Sequence, residues 1–266
     1  MPERIFEPAQ REIRVALMAM HIRVRDFGVD EFDLKQLEDL NVRVDPMVLD
    51  ETSPQKPSYF AAQPSHLILE TNEETLGSYN GLDDMEDISP AFKRPYDIAR
   101  QMNWFLVHYI SRCRSHANDE GESDPWRYNY GGDFPECGLF KYEQPEFGCF
   151  RILDLKDPAY PHVKAIIYNN MVATESTILY GELLPILRLM FAQFRRKRLR
   201  HHMMAPVLVI SLMGVKCRAI EAHFDGKTLT VRPSAMYDFT HGNDAAFRTF
   251  AQWFLGKAIG DTLHVP

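Results

Sequence analysis

The chain has 266 residues, of which 45% are hydrophobic, 12% aromatic and 25% charged, with a formal net charge of -7. This balance excludes a disordered or collagen-like chain and supplies enough apolar surface for a sizeable core, in one large domain or two small ones. The net negative charge argues against broad, non-specific affinity for nucleic acid and leaves only a local basic patch for that role.

The opening residues, MPERIFEPAQREIRV, carry charges where a secretory signal needs an unbroken apolar core. Without a route to an oxidising compartment, Cys113, Cys137, Cys149 and Cys217 are expected as free thiols. Strongly apolar stretches such as 205–214 are far shorter than the roughly 20 residues of a membrane span. The expectation is an intracellular protein, cytoplasmic or nuclear, with no membrane partner.

Ile13, Val15 and Leu17, then Met20, Ile22 and Val24, alternate with polar neighbours. That period of 2 predicts strand over 11–25, with a bulge or turn near Met18. Phe32, Leu34, Leu37 and Leu40 fit a short helix, and Val42 and Val44 a short strand stopped by Pro46. Pro54, Pro57 and Pro64 among polar residues make 50–64 a loop. The segment HLILE, 66–70, reads as strand. Residues 70–95 are acidic and turn-rich, with Asp83, Asp84, Glu86 and Asp87 close together, and read as an exposed loop or linker.

The clearest amphipathic helix spans 96–116. Ile98, Met102, Phe105, Leu106, Tyr109, Ile110 and Cys113 share one face, and Pro95 suits its start. A Gly- and aromatic-rich loop, WRYNYGGDFPE, follows. Strands are expected over 147–155 and 163–168. A mostly helical stretch covers 175–202, kinked or restarted by Pro185. The apolar run 207–213 reads as a buried strand, and 216–224 and 228–232 form a hairpin around Asp225-Gly226. A closing helix runs over 243–255, with Asn243 as N-cap and Gly256 just past its end.

The fold expected is a single α/β domain over 1–266. A mixed, largely antiparallel sheet is flanked by helices, with a three-strand meander between two helices in the C-terminal half. Residues 1–70 add strands or a subdomain, 70–95 form the acidic link, and 96–266 form the main core.

The segment APVLVISLMGVKCRAIEAHFDGKTLTVRPSAMYDF, followed by FRTFAQWFLGKAIGDT, resembles a group of uncharacterised proteins from filamentous fungi. The likeness is clearest over 180–262 and is one of phrasing, not of a catalytic motif. The group is similar in layout to the restriction-endonuclease-like fold. The resemblance implies a fungal intracellular protein and carries no assigned chemistry.

A metal-dependent nuclease on such a scaffold needs carboxylates that hold Mg²⁺ and a lysine near the attacking water. Glu182, Glu221, Asp225 and Lys227 are the candidates. The third strand, which should offer an acidic residue two before a lysine, has none between Thr228 and Arg232. The plainer reading makes Glu182 helix surface, Glu221 a solvent-facing residue and Asp225 a turn residue.

The basic run Arg195, Arg196, Lys197, Arg198, Arg200, with His201 and His202, reads as a nuclear-targeting or phosphate-contacting patch. It also suits a helix end, where cations are favoured and long stems cover apolar surface. His108, Cys113 and His116 share a helix without converging as zinc ligands, and Cys113 falls on the apolar face. Ser211 lies inside an apolar strand and lacks a nucleophile elbow. His223 and His241 are near Asp225 in sequence only. Tyr130 to Asp133 lacks the lysine of a phosphate loop. Trp126, Tyr128 and Tyr130 line a pocket on one reading and anchor a long loop on the other.

Three functions follow. The first is a non-catalytic interaction or regulatory protein with a protein partner, on a degenerate nuclease-like scaffold and without a cofactor. The second is a Mg²⁺-dependent nuclease with a migrated site. The third is an enzyme or accessory protein of a fungal metabolite pathway, using the aromatic loop as its pocket. Convergence of Glu182, Glu221, Asp225 and Lys227 favours the nuclease; scatter favours the interaction protein.

Overall fold

The computed structural model describes residues 8–77, 79, 81–82, 94–129 and 138–265. The chain opens with helix α1 (Pro8–Asp26), where alternation predicts strand. Ile13, Leu17, Met20 and Val24 are buried along one helical stripe. Val15 and Ile22, which create the apparent period of 2, are exposed on the far side. Apolar residues on an outward helix face are enough to mimic alternation over a short window.

Next come β1 (Glu31–Phe32), α2 (Leu34–Asp39) and β2 (Val42–Val44). Asp33 caps α2, and Asn41 turns the chain into β2 through the left-handed region. Residues 66–70 are not a strand. A 3-10 turn (Ser65–Leu67) follows Pro64, and the Leu69 carbonyl is taken by the Tyr109 hydroxyl instead of a ladder. Of the acidic stretch, 73–76 forms the short α3 (Glu73–Leu76), while Asp83, Asp84, Glu86 and Asp87 lie outside the described residues.

Helix α4 (Pro95–Asp119) starts on Pro95 and buries the face that its spacing specifies. Then follow β3 (Trp126–Tyr128), β4 (Phe140–Lys141), β5 (Phe147–Leu155), β6 (Val163–Asn169) and β7 (Ile178–Leu179). Helix α5 (Tyr180–Phe194) runs through Pro185 as one helix and ends well before 202. Strands β8 (Val207–Met213), β9 (Lys216–Phe224), β10 (Leu229–Pro233) and β11 (Tyr237–Asp238) precede α6 (Asp244–Leu255). Asn243 caps α6 by accepting from the Ala246 amide at 3.1 Å.

The protein is therefore mixed α/β. Among the described residues, the main sheet runs β2-β10-β9-β8-β6-β5-β3, with β11 beside β9 and β4 beside β5. Its pairs are antiparallel except β6–β8 and β2–β10. Helices α1 and α5 cover one face, and α4 and α6 the other, so apolar cores lie on both sides. The central strands β6, β8 and β10 are buried at every position, which explains the unbroken apolar run of β8.

The end of α6 is fixed by an interior cation. Lys164 on β6 has no exposed surface. Its Nζ donates to the carbonyls of Trp253 (3.1 Å), Phe254 (2.9 Å) and Gly256 (2.5 Å). Three ammonium protons thus meet carbonyls at a helix C-terminus, where positive charge is favoured. Nζ also lies 4.2 Å from the centroid of the Trp126 ring. Burial pulls the amine well below its ordinary pKa, with the Asp124 carboxylate pulling the other way. Gly256 is not a left-handed cap, because its φ is -62°. A Cβ there would fall 1.8 Å from the Ala61 carbonyl oxygen, so glycine is required by close backbone approach.

Lys164→Met keeps the stem but removes every donor. It should lower stability by about 1–3 kcal/mol, the cost of taking the ammonium donor from the Trp253 and Phe254 carbonyls, while the Gly256 carbonyl keeps Trp126. Urea unfolding measures this, and a loss below about 1 kcal/mol would remove the lysine from this role.

Candidate functional site

The four nuclease candidates do not meet. On β9, Ile220, Ala222 and Phe224 pack into the α1/α5 core, and Cys217 and Ala219 into the α4/α6 core. Strand alternation therefore puts Arg218 on the α5 side and Glu221 on the opposite side.

Glu182, at the start of α5, is fully buried and is not helix surface. Its Oε1 accepts from Arg218 Nε at 2.9 Å, and Oε2 accepts from Arg218 Nη2 and from the Leu179 amide. Arg218 also donates to the carbonyls of Thr174 (3.3 Å) and Thr177 (2.9 Å). This bidentate pair closes the segment between β6 and α5 over the sheet. Gly181 permits the approach, since a Cβ there would lie 2.1 Å from Asn169 Oδ1.

Glu221 is also buried and does not face solvent. It accepts from the Ser58 amide (2.9 Å), the Tyr59 amide (2.7 Å) and Arg232 Nη1 (2.9 Å). Burial pushes its carboxyl above the ordinary range, against the pull of those three donors. The carboxylate pins the proline-bearing loop onto the sheet. Asp225 Oδ1 accepts from the amides of Lys227 (2.8 Å) and Thr228 (2.7 Å), and Gly226 supplies a φ of 96°. Asp225 is thus the hairpin's turn residue, and Lys227 is exposed on its tip. Among the described residues no group of three or more His, Cys, Asp or Glu is placed to hold a metal ion.

The basic run has a structural task. Arg195 closes α5, and a 3-10 turn (Lys197–Leu199) follows. Arg196 pairs with Asp154, and Arg198 lies 3.7 Å from the same carboxylate. Arg127 on β3 completes the group at 2.5 Å. Burial alone would raise the Asp154 carboxyl, but the hydrogen bonds from Arg127 and Arg196 outweigh it and hold the group below its usual range. Arg195 and Lys197 are exposed, and Arg200 is half-buried.

Trp126 is buried and donates from Nε1 to the Gly256 carbonyl at 2.8 Å, so it anchors the loop. The Tyr128 ring has Arg114 at 4.6 Å and Arg151 at 5.6 Å. Tyr130, the glycines after it and Cys137 lie outside the described residues. Cys113, Cys149 and Cys217 are buried free thiols, and burial pushes Cys149 up to about 12. Ser211 is buried and accepts from Asn169 Nδ2 at 3.2 Å.

A different feature stands out on the outer side of α4. A groove of about 850 Å³ is lined by that helix and by Arg151 of β5. Gln101, Trp104, His108 and Ser111 follow one another along the helix at spacings of three and four. Trp104 is 59% exposed, and His108 stacks on it with rings 5.7 Å apart and 10° from parallel. Asp97 is bound to Arg94 at 2.9 Å. Arg100 and Arg151 have no carboxylate partner among the described residues, and with Asp97 they leave the described lining net positive. The helical pattern of α4 does not single out Trp104. The signal for it is a tryptophan on the polar side of an amphipathic helix, where a buried ring is not needed.

No protein-family model, no curated protein and no solved structure matches this chain. No helix among the described residues is long and apolar enough to cross a membrane.

The Asp154 cluster sets a pH dependence. A carboxyl whose folded pKa is depressed stabilises the fold above its unfolded pKa of about 3.9, and that contribution disappears as pH falls through the folded value. Asp154→Asn should cost about 1.5–3 kcal/mol at neutral pH. The gap from the unsubstituted protein should close below about pH 4. Urea midpoints measured across pH check this; a gap that persists at low pH would show that the charge is not the cause.

Proposed function

We propose that this chain is an interaction or regulatory protein, and that the α4 groove receives an acidic, amphipathic segment of a protein partner. The observation that carries the reading is the exposed Trp104, with His108 stacked on it, in a groove that is also lined by Arg100 and Arg151, which lack carboxylate partners among the described residues. Trp and Arg are the residue types that concentrate binding energy at protein interfaces. A stripe along one helix suits a second helix laid against it, with carboxylates meeting Arg100 and Arg151 and apolar groups covering the indole.

The placement of the acidic residues supports the same reading. Glu182 and Glu221 occupy opposite sides of the sheet and are held by Arg218 and Arg232. A Mg²⁺-dependent nuclease would have to draw its ligands from elsewhere. The likeness to fungal proteins with a nuclease-like layout fits a scaffold kept for binding, in a fungal cell. The basic run is a weaker partner site, because Arg196 and Arg198 already face Asp154.

The test is fluorescence anisotropy with a labelled amphipathic helical peptide bearing leucine on one face and glutamate on the other. Binding should weaken by about tenfold with Trp104→Ala, near 1.4 kcal/mol, and should be lost with Arg100→Glu and Arg151→Glu together. Because these side chains line the surface, the melting temperature should hardly change. Equal binding by the variants, or preference for a single-stranded oligonucleotide over the peptide, would overturn the assignment.

A further inference from the structure

The main sheet ends on β2, which pairs only with β10 on its path. That pairing is parallel, with Val42, Arg43 and Val44 beside Leu229, Thr230 and Val231. The Leu229 amide donates to the Asn41 carbonyl at 3.0 Å, the Asp45 amide to the Val231 carbonyl at 3.0 Å, and the Met47 amide to the Pro233 carbonyl at 2.9 Å. The extended edge therefore runs from Asn41 to Met47, with its odd-numbered residues turned toward β10. The backbone groups of Val42 and Val44 and the Pro46 carbonyl point away from the sheet. Among the described residues they have no backbone partner from another segment.

The side chains of this edge divide by face. Val42 is buried in the α1/α5 core and Val44 packs against it. Arg43 and Asp45 are exposed on the opposite face. There the Arg43 guanidinium donates to Thr230 Oγ1 at 3.0 Å, and the Asp45 carboxylate lies 3.4 Å from Nε of Arg232, whose Nη1 is bound to Glu221.

One charge of each sign, two residues apart on one face, makes the edge complementary to itself. Two copies running antiparallel about a two-fold axis through Val44 present the same patch to each other. Val44 then meets Val44, Val42 meets Pro46, and each Arg43 meets the Asp45 of the other copy. Arg43 and Asp45 turn their backbones inward, so they form the non-hydrogen-bonded pair, the one with Cα atoms only about 4.5 Å apart and side chains closest. Opposite charges in that position are favourable, and the two-fold makes the pair twice. An axis through Arg43 would set arginine against arginine, and one through Asp45 carboxylate against carboxylate. Charge thus selects the register about Val44.

The backbone and the groove beside it fit the same register. The two Val44 residues exchange both of their bonds, and each Val42 amide reaches the Pro46 carbonyl of the other copy. Pro46 has no amide to return, so the pairing stops there. A groove of about 420 Å³ lies between α2 and the start of β2, with Leu34, 54% exposed, in its lining. Helix α2 is on the valine face, because its Leu37 shares the core of Val42. Pro46 of the second copy, opposite Val42, comes to this groove. Glu38 in the lining therefore meets proline, while both Asp45 carboxylates lie on the other face.

We propose that two copies of this chain associate through β2, antiparallel about Val44, and so join their main sheets edge to edge. The surface is separate from the α4 groove and does not depend on it. A contact this short falls below the roughly 1,200 Å² of stable interfaces, so the dimer is a weak one, with a Kd on the order of 100 µM.

Sedimentation of the full chain from about 10 µM to about 1 mM spans that Kd and reads the association. The dimer fraction should rise with concentration. Arg43→Asp alone and Asp45→Arg alone should each weaken self-association by about tenfold or more, because each sets like charges opposite. Mixed together, these two variants should pair with each other at least as well as the unsubstituted chain pairs with itself, because every cross-strand pair is again of opposite sign. Val44→Pro removes the central pair of bonds and should abolish the dimer. Far-UV circular dichroism confirms that each variant is folded. A chain that stays monomeric throughout would overturn the proposal. So would a dimer unchanged by Val44→Pro, or folded charge variants that fail to pair on mixing. Trp104→Ala should leave the dimer unchanged; a loss there would overturn the proposal by moving the contact to the α4 groove.

Discussion

The bidentate pair between Glu182 and Arg218 is the constraint on which the α1/α5 side of the molecule depends. Both side chains are buried, so neither charge is tolerable without the other. The pair fixes where α5 begins, because Glu182 also takes the Leu179 amide ahead of the first turn. It fixes the segment before α5 as well, because Arg218 reaches the carbonyls of Thr174 and Thr177. With α5 set, α1 follows: its buried stripe packs into the same core, and Gln10 reaches the carbonyls of Leu199 and His202 beyond the end of α5.

The same principle recurs elsewhere. On the α4/α6 side, Glu221 holds a loop and Arg232, while Lys164 holds the end of α6. At the β3 end of the sheet, Asp154 gathers Arg127, Arg196 and Arg198. In each case a charge inside the fold is matched by donors or acceptors from a distant part of the chain. These charges fasten irregular segments and helix ends to the sheet, where apolar packing alone does not set a register.

The sequence made much of the C-terminal half legible. Strand lengths, the Asp225-Gly226 turn and the Asn243 cap were all visible because each rests on a local rule. The fold class followed from their order. Helix α1 was not legible as a helix, because exposed Val15 and Ile22 imitate alternation and only the core tells which stripe is buried. The roles of Glu182 and Glu221 were hidden for a different reason. An acidic residue reads as surface or as catalytic until its partner is known, and Arg218 lies 36 positions from Glu182. The basic run likewise looked like a patch because Asp154 is 42 residues from Arg196. Gly256 was recognised as special, but close approach of Ala61, a long-range contact, is the cause. Trp104 needed only the question of why a tryptophan sits on a helix's polar side.

The central claim is that the carboxylates resembling a catalytic set are parts of the frame. The most direct measurement is a double-mutant cycle between Glu182 and Arg218, read by chemical unfolding of Glu182→Leu, Arg218→Met and the double variant. Each single change should cost about 3–5 kcal/mol by leaving a buried charge alone, and the double variant should recover most of that loss. The coupling should then exceed about 2 kcal/mol. Additive losses, with a coupling under about 0.5 kcal/mol, would contradict the account and reopen Glu182 as a residue kept for chemistry.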